Sequence, residues 1–189
     1  MKRKPLFLFL FFFFIIIMSY MVYQRFFVMP QFRNHQGDGR LDDRSRRLGP
    51  FPVPGYSITM SKFDLDKPKD AEYQLAKLPN IHRQCHVYFA IRVEDDKWEE
   101  SLKKDLHATL QLELRDSSGQ TIVNLDGKLS DYIAYSSLNM NFIALYPRIN
   151  TSAFFPDPYE KYTVHVVYTP DPKLKDCQGF VFIECGGHK

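Results

Sequence analysis

The side chains with the most chemical potential in this sequence are three cysteines, Cys85, Cys177 and Cys185, and six histidines, His35, His82, His86, His107, His165 and His188. The cysteines lack the CxxC spacing of a zinc site, and no HExxH, GxSxG, SxxK or glycine-rich phosphate loop occurs. His86, His107 and His165 each fall on the outward positions of an alternating segment. Three imidazoles meeting on one sheet surface would make a weak transition-metal site, while separate solvent-facing histidines are the simpler reading. Cys177 and His188 could act as nucleophile and base, but nothing in their spacing fixes a geometry. No catalytic residue, metal or cofactor is therefore assigned.

The cysteines speak more clearly about structure. Cys177 and Cys185 flank one apolar strand and would lie about 26 Å apart if it is extended, too far to bond. Cys85 must then be one partner. It opens a strand that would meet Cys185 if the two segments were antiparallel neighbours, whereas Cys85–Cys177 would need a parallel arrangement or a loop folding over. The expected bridge is Cys85–Cys185, with Cys177 a free thiol, in an oxidising compartment; a domain facing the cytoplasm would keep all three reduced.

Aromatic residues supply the candidate binding surface. Tyr132, Tyr135, Tyr146, Phe154, Phe155 and Tyr159 crowd the irregular stretch before the penultimate strand. On loops, such rings stack on sugars or anchor a protein partner; at the open end of a sandwich they serve as plugs. Asn150-Thr151-Ser152 matches the N-glycosylation pattern.

Short strands must position these residues. Leu106–Leu114 alternates, with Leu106, Ala108, Leu110, Leu112 and Leu114 on one face, and Asp116-Ser117-Ser118-Gly119 supplies a turn into Thr121–Leu125. Cys85–Val93 alternates with Val87, Phe89, Ile91 and Val93 inward, and Tyr162–Thr169 with Tyr162, Val164, Val166 and Tyr168 inward. Gly179–Cys185 is apolar on both faces, as a covered strand is. Pro170-Asp171-Pro172 would lead through a longer loop into a hairpin of the last two strands. Tyr56–Met60 and Phe142–Tyr146 are weaker strands, Asp96–Leu106 suits a short helix, and Ser130–Leu138 is ambiguous. The pattern predicts a mainly β fold, an antiparallel immunoglobulin-like or related β-sandwich preceded by one N-terminal transmembrane helix.

That helix follows from Leu6–Tyr23, LFLFLFFFFIIIMSYMVY, which lacks charge and would span about 27 Å. No small-residue cleavage triplet or lipobox cysteine follows it, so an uncleaved signal anchor is expected. Lys2, Arg3 and Lys4 favour a cytoplasmic N-terminus. The expected organisation is a basic tail (1–5), a transmembrane signal anchor (6–28), a flexible Arg/Asp/Pro/Gly linker (29–54) and an extracytoplasmic β-sandwich domain (55–189). The linker's Arg40, Arg44, Arg46 and Arg47 alternate with Asp38, Asp42 and Asp43; they read as a solvated tether or as a contact for anionic lipid headgroups or a polyanionic wall.

The stretch FPDPYEKYTVHVVYTPDPKLKDCQGFVFIECGG, residues 155–187, resembles the C-terminal hairpin of small exported bacterial β-sandwich proteins of uncharacterised function. The resemblance implies a membrane-tethered or periplasmic β-domain and transfers no catalytic residue.

Twenty-five basic residues against twenty-two acidic ones, with no nucleic-acid-binding signature, argue against a nucleic acid partner. The expected function is non-enzymatic: a single-pass protein of the inner (plasma) membrane, its C-terminal domain in the periplasm or outside the cell. It would contact the lipid bilayer and a protein partner in the envelope, as an accessory, adaptor or immunity-type factor. The alternative is a glycan-binding module of the cell wall using the aromatic loop, and the third reading a metal- or thiol-dependent enzyme.

Overall fold

Alternating apolar and polar residues become paired strands here, and two sheets close over one core. The computed structural model describes residues 4–23, 35–48, 51–79, 81, 83–92, 106–136, 142–146 and 152–186. In chain order they form α1 (Lys4–Tyr23), β1 (Gln36–Gly37), β2 (Arg40–Asp43), β3 (Arg46–Leu48), β4 (Phe51–Val53), β5 (Tyr56–Thr59), β6 (Phe63–Asp64), β7 (Lys69–Ala76) and β8 (Cys85–Arg92). There follow β9 (Thr109–Arg115), β10 (Thr121–Lys128), β11 (Ile133–Ser136), β12 (Phe142–Tyr146), β13 (Ala153–Phe154), β14 (Lys161–Thr169) and β15 (Gln178–Cys185). The fold is mainly β, with two antiparallel sheets in a sandwich-like arrangement.

The first sheet runs β1-β7-β14-β9-β10 and the second β11-β12-β8-β15-β5-β2, with β13 beside β8 and β6 beside β15. Leu106, Ala108, Leu110, Leu112 and Leu114 all turn inward, as do Tyr162, Val164, Val166 and Tyr168 of β14. They share one core with Val87, Phe89 and Ile91 of β8 and with Val181 and Ile183 of β15. The turn after β9 forms as its residues dictate. Asp116 Oδ1 accepts from the Ser118 and Gln120 N–H groups, and Gly119 takes a positive φ of 84° that a side chain would resist.

Several expectations change. The last two strands are not a hairpin: β14 lies between β7 and β9 in one sheet, and β15 between β8 and β5 in the other. Both edges of each are already paired, and a 3₁₀ turn at Pro172–Leu174 carries the chain from one layer to the other. The stretch resembling a C-terminal hairpin is thus a crossover between sheets. β8 alternates less than expected, because its outer face is covered too: Tyr88 and Ala90 are buried in a second cluster with Phe180 and Phe182 of β15. Ser130–Leu138 divides into a 3₁₀ turn, Leu129–Asp131, and β11. Val93 and, apart from Leu106, the helical segment expected at Asp96–Leu106 lie outside the described residues.

The largest change falls on the expected linker. From Gln36 onward its described residues form strands. β1 pairs with β7, the chain reverses at Asp38-Gly39, and β2 pairs with β5. Asp38 locks this arch reciprocally, its N–H donating to the Gln74 carbonyl (2.6 Å) and its carboxylate accepting from the Gln74 N–H (2.7 Å). The register of β2 on β5, Arg40↔Thr59 to Asp43↔Tyr56, continues without a slip into Arg46↔Val53 and Leu48↔Phe51. β2–β3 and β4–β5 are therefore two arms of one long hairpin. Its neck is close: Pro54 and Gly55 are buried, and a Cβ on Gly55 would run into the Gly186 carbonyl.

At the N-terminus, side chains from Leu8 to Tyr23 are exposed nearly all the way round α1. Among the described residues no helix is long and apolar enough to cross a membrane, which leaves the expected transmembrane helix unsupported.

Cys85 and Cys185 are bonded, as their positions at opposite strand ends led us to expect, and Cys177 is free. They are directly opposite in the β8–β15 ladder, with Cα atoms 4.1 Å apart, near the spacing of closely approaching antiparallel pairs. Their sequence separation is 100. Closing a loop of that length should stabilise the fold by roughly 4–5 kcal/mol. Replacing both by serine should therefore lower the urea midpoint by that equivalent; an unchanged midpoint would show that the bridge does not constrain the unfolded chain.

Candidate functional site

The two ends of the sandwich differ in chemistry. One carries the start of β1, the Cys85–Cys185 bridge and the start of β14. The other carries the start of β15, paired with both Arg92 of β8 and Asp64 of β6. At this second end a depression of about 270 Å³ is lined by Asp64, Asp66, Arg92, Asp176, Cys177 and Gln178.

Long-range pairing assembles it. The Leu65 N–H donates to the Cys177 carbonyl (3.0 Å), joining the two walls. Buried Tyr168 donates its hydroxyl to the Leu65 carbonyl (3.0 Å), and Phe63 packs on Phe89 and Tyr168. On the other wall, buried Asp171 accepts from the His107 N–H (2.6 Å) and the Lys173 N–H (2.9 Å), capping the 3₁₀ turn. Asp176 then takes a φ of 66°, a left-handed position that Asp tolerates, and delivers Cys177 to the depression.

Burial, and secondarily the Asp176 carboxylate, push the Cys177 thiol up, so it stays protonated near neutrality and is a poor nucleophile. Three carboxylates around one guanidinium suit contact with a cationic side chain, with Arg92 fixing orientation. Lys67 reaches Asp64 at 3.2 Å, an exposed pair of little energetic weight. Among the described residues no three His, Cys, Asp or Glu side chains are grouped to hold a metal ion. The three histidines are not on one sheet: His86 lies on the outer side of β8, His107 precedes β9, and His165 of β14 in the other sheet meets Asp70 at 3.0 Å.

The candidate aromatics separate into groups. Tyr132 and Phe154 are each 4% exposed and belong to the core, so they leave the binding set. Phe154 meets Tyr162 edge-on at 5.6 Å; burial, then the charges of Asp126 and Asp131, push the Tyr132 hydroxyl up to about 12. Phe155 and Tyr159, by contrast, are 71% and 95% exposed. Tyr135 stands opposite Ala144 and Tyr146 opposite Ile133 in the β11–β12 ladder, and their side chains lie outside the described ones. Asn150 and Thr151 of the glycosylation pattern also lie outside the described residues. The depression itself had no local signature: its residues come from three distant segments, and only the Asp-rich flanks of Leu65 and Cys177 hinted at it.

No family model matches the chain, and no curated protein matches it. Among solved structures, a chain in "Structure of infectious bursal disease virus Gx strain" is similar at 9% identity and a TM-score of 0.24, over 82% of this chain and 32% of that one. This chain thus spans about a third of the length of that one, and at this score the likeness carries no argument.

Asp171 governs one wall, and its acidity is testable. Burial acts to raise its carboxyl, but the His107 and Lys173 N–H groups and the nearby positive charges outweigh this and leave it lowered. Its stabilisation is therefore full above the ordinary carboxylate value, about 3.9, and fades as pH falls through the lower folded value. Asp171→Asn should cost about 1–3 kcal/mol at pH 7 by urea unfolding, with the gap to the native chain narrowing towards pH 3. A gap independent of pH would assign the loss to packing.

Proposed function

We propose that this chain is a single-pass protein of the inner (plasma) membrane whose β-sandwich lies in the periplasm or outside the cell. It acts there through protein contacts, as an accessory, adaptor or immunity-type factor, rather than by catalysis. The observation that carries this reading is α1. Its sequence carries the uncharged run Leu6–Tyr23, about 27 Å as a helix, and side chains this apolar favour apolar surroundings. The Cys85–Cys185 bridge supports an oxidising compartment. Lys2, Arg3 and Lys4 support a cytoplasmic N-terminus. Because the bridge joins neighbours within one sheet, whereas antibody domains bridge two sheets, we favour a related β-sandwich over an immunoglobulin-like one.

A second reading, a glycan- or cell-wall-binding module, draws on the exposure of Phe155 and Tyr159. Saturable glycan binding by the full chain, lost on Phe155→Ala with Tyr159→Ala, would favour it.

The leading reading predicts that the chain resists carbonate extraction from membranes. A reporter fused after Lys189 should be active only outside the cytoplasm, and changing Lys2, Arg3 and Lys4 to Gln should bring part of it inside. Release by carbonate, or a reporter active only in the cytoplasm, would contradict it.

A further inference from the structure

The depression at the Gln178 end of the sandwich holds opposite charges apart instead of pairing them. Arg92, Gln178 and Asp64 stand directly opposite one another across β8, β15 and β6, so their side chains leave the same face of the sheet. Two interstrand spacings put the ends of this row about 10 Å apart at the backbone. Asp66, Asp176 and Cys177 complete the lining. Among the described residues Arg92, Asp66 and Asp176 form no ion pair, and Asp64 engages only Lys67, at the exposed edge.

The backbone behind these charges is fixed. Buried Leu65 lies between Asp64 and Asp66, its N–H bound to the Cys177 carbonyl and its carbonyl bound to the buried Tyr168 hydroxyl. Asp176 is held at a φ of 66° between the capped 3₁₀ turn and β15. The charged groups therefore surround a shared space of about 270 Å³.

That space is ordered by charge. On the β8 side, the planar guanidinium of Arg92 offers the two parallel donors that a carboxylate takes best. On the β6 side, Asp66 and Asp176 accept from an ammonium or a guanidinium. The Gln178 amide stands between them and can donate or accept. Three carboxylates against one guanidinium disfavour a simple anion, whereas a simple cation would leave Arg92 unmatched. At roughly 30 Å³ per water the space equals about nine waters, close to the ten or so non-hydrogen atoms of lysine.

We propose that this depression recognises a basic amino acid, free or as the last residue of a peptide, with its α-carboxylate on Arg92 and its side-chain cation on Asp66 and Asp176. Cys177 supplies an uncharged wall. The site goes beyond the anchored reading and does not depend on it.

Titration calorimetry on the oxidised full chain in detergent micelles, with lysine, cadaverine and norleucine in parallel, separates the two charges. Lysine should bind saturably. Cadaverine lacks the carboxylate and norleucine lacks the side-chain ammonium, so each should bind about tenfold more weakly or worse. Arg92→Gln should bring lysine down to the level of cadaverine and leave cadaverine unchanged. Asp66→Asn with Asp176→Asn should bring lysine down to the level of norleucine, and an unchanged urea midpoint would show that both losses are local. A peptide ending in lysine that outbinds lysine, and loses this on C-terminal amidation, would assign the site to a protein terminus. The opposite order would assign it to the free amino acid. Lysine binding no tighter than cadaverine or norleucine, or saturable binding by neither lysine nor the peptide, would overturn the proposal. That result would leave the membrane reading untouched, because carbonate extraction tests it separately.

Discussion

The pairing of β15 with β8 is the constraint on which the rest of the structure depends. It runs from Gln178↔Arg92 to Cys185↔Cys85, between segments nearly a hundred residues apart in the chain. Contacts so distant in sequence must overcome a large loop-closure entropy before they stabilise anything. Two features make them hold: both faces of the pair are buried, and the bridge closes its end. β12 and β13 then add beside β8, and β5 and β6 beside β15. The buried Tyr56 hydroxyl sits 3.6 Å from the Cys85 sulfur, so the first residue of β5 is fitted to the bridge itself.

The same pairing sets up a polarity between the two ends. At the Cys185 end, Gly186 packs into the neck of the long hairpin and fixes the direction in which the ribbon leaves. At the Gln178 end, the ladder aligns Arg92, Gln178 and Asp64 across three strands and so creates the charged depression. Gly179 is needed there because a Cβ would collide with Leu65 and Phe89, and Leu65 is flanked by two of the lining carboxylates. One set of cross-strand contacts thus sets the hairpin neck and the charged depression at opposite ends of the sandwich.

How much of this was legible depended on where each residue's neighbours came from. β9 and β14 were readable because each has one covered and one polar face, so Leu106–Leu114 and Tyr162–Tyr168 alternate cleanly. The cysteine pairing was readable because geometry within a single strand excluded Cys177–Cys185 and strand direction then favoured Cys85–Cys185. The outer cover of β8 was not, since Tyr88 and Ala90 break no local rule. β1 to β4 were hidden because each is only two to four residues long, too short for alternation to show, and β1 has its partner in the more distant β7. The β14–β15 hairpin was the natural guess for adjacent strands, and it fails because both edges of each strand are already paired. The depression had no local pattern to find, and Tyr132 and Phe154 looked like surface aromatics until the core closed over them.

Native-state hydrogen exchange on the oxidised full chain tests the central claim most directly, because it reads the stability of each ladder separately. If the β8–β15 pair is the keystone, amides in 85–92 and 178–185 should exchange last and at a common rate, well after those of β2 and β11 at the edges of the same sheet. Exchange in 85–92 and 178–185 as fast as in those edge strands would contradict it, and the organising constraint would then have to lie elsewhere in the sandwich.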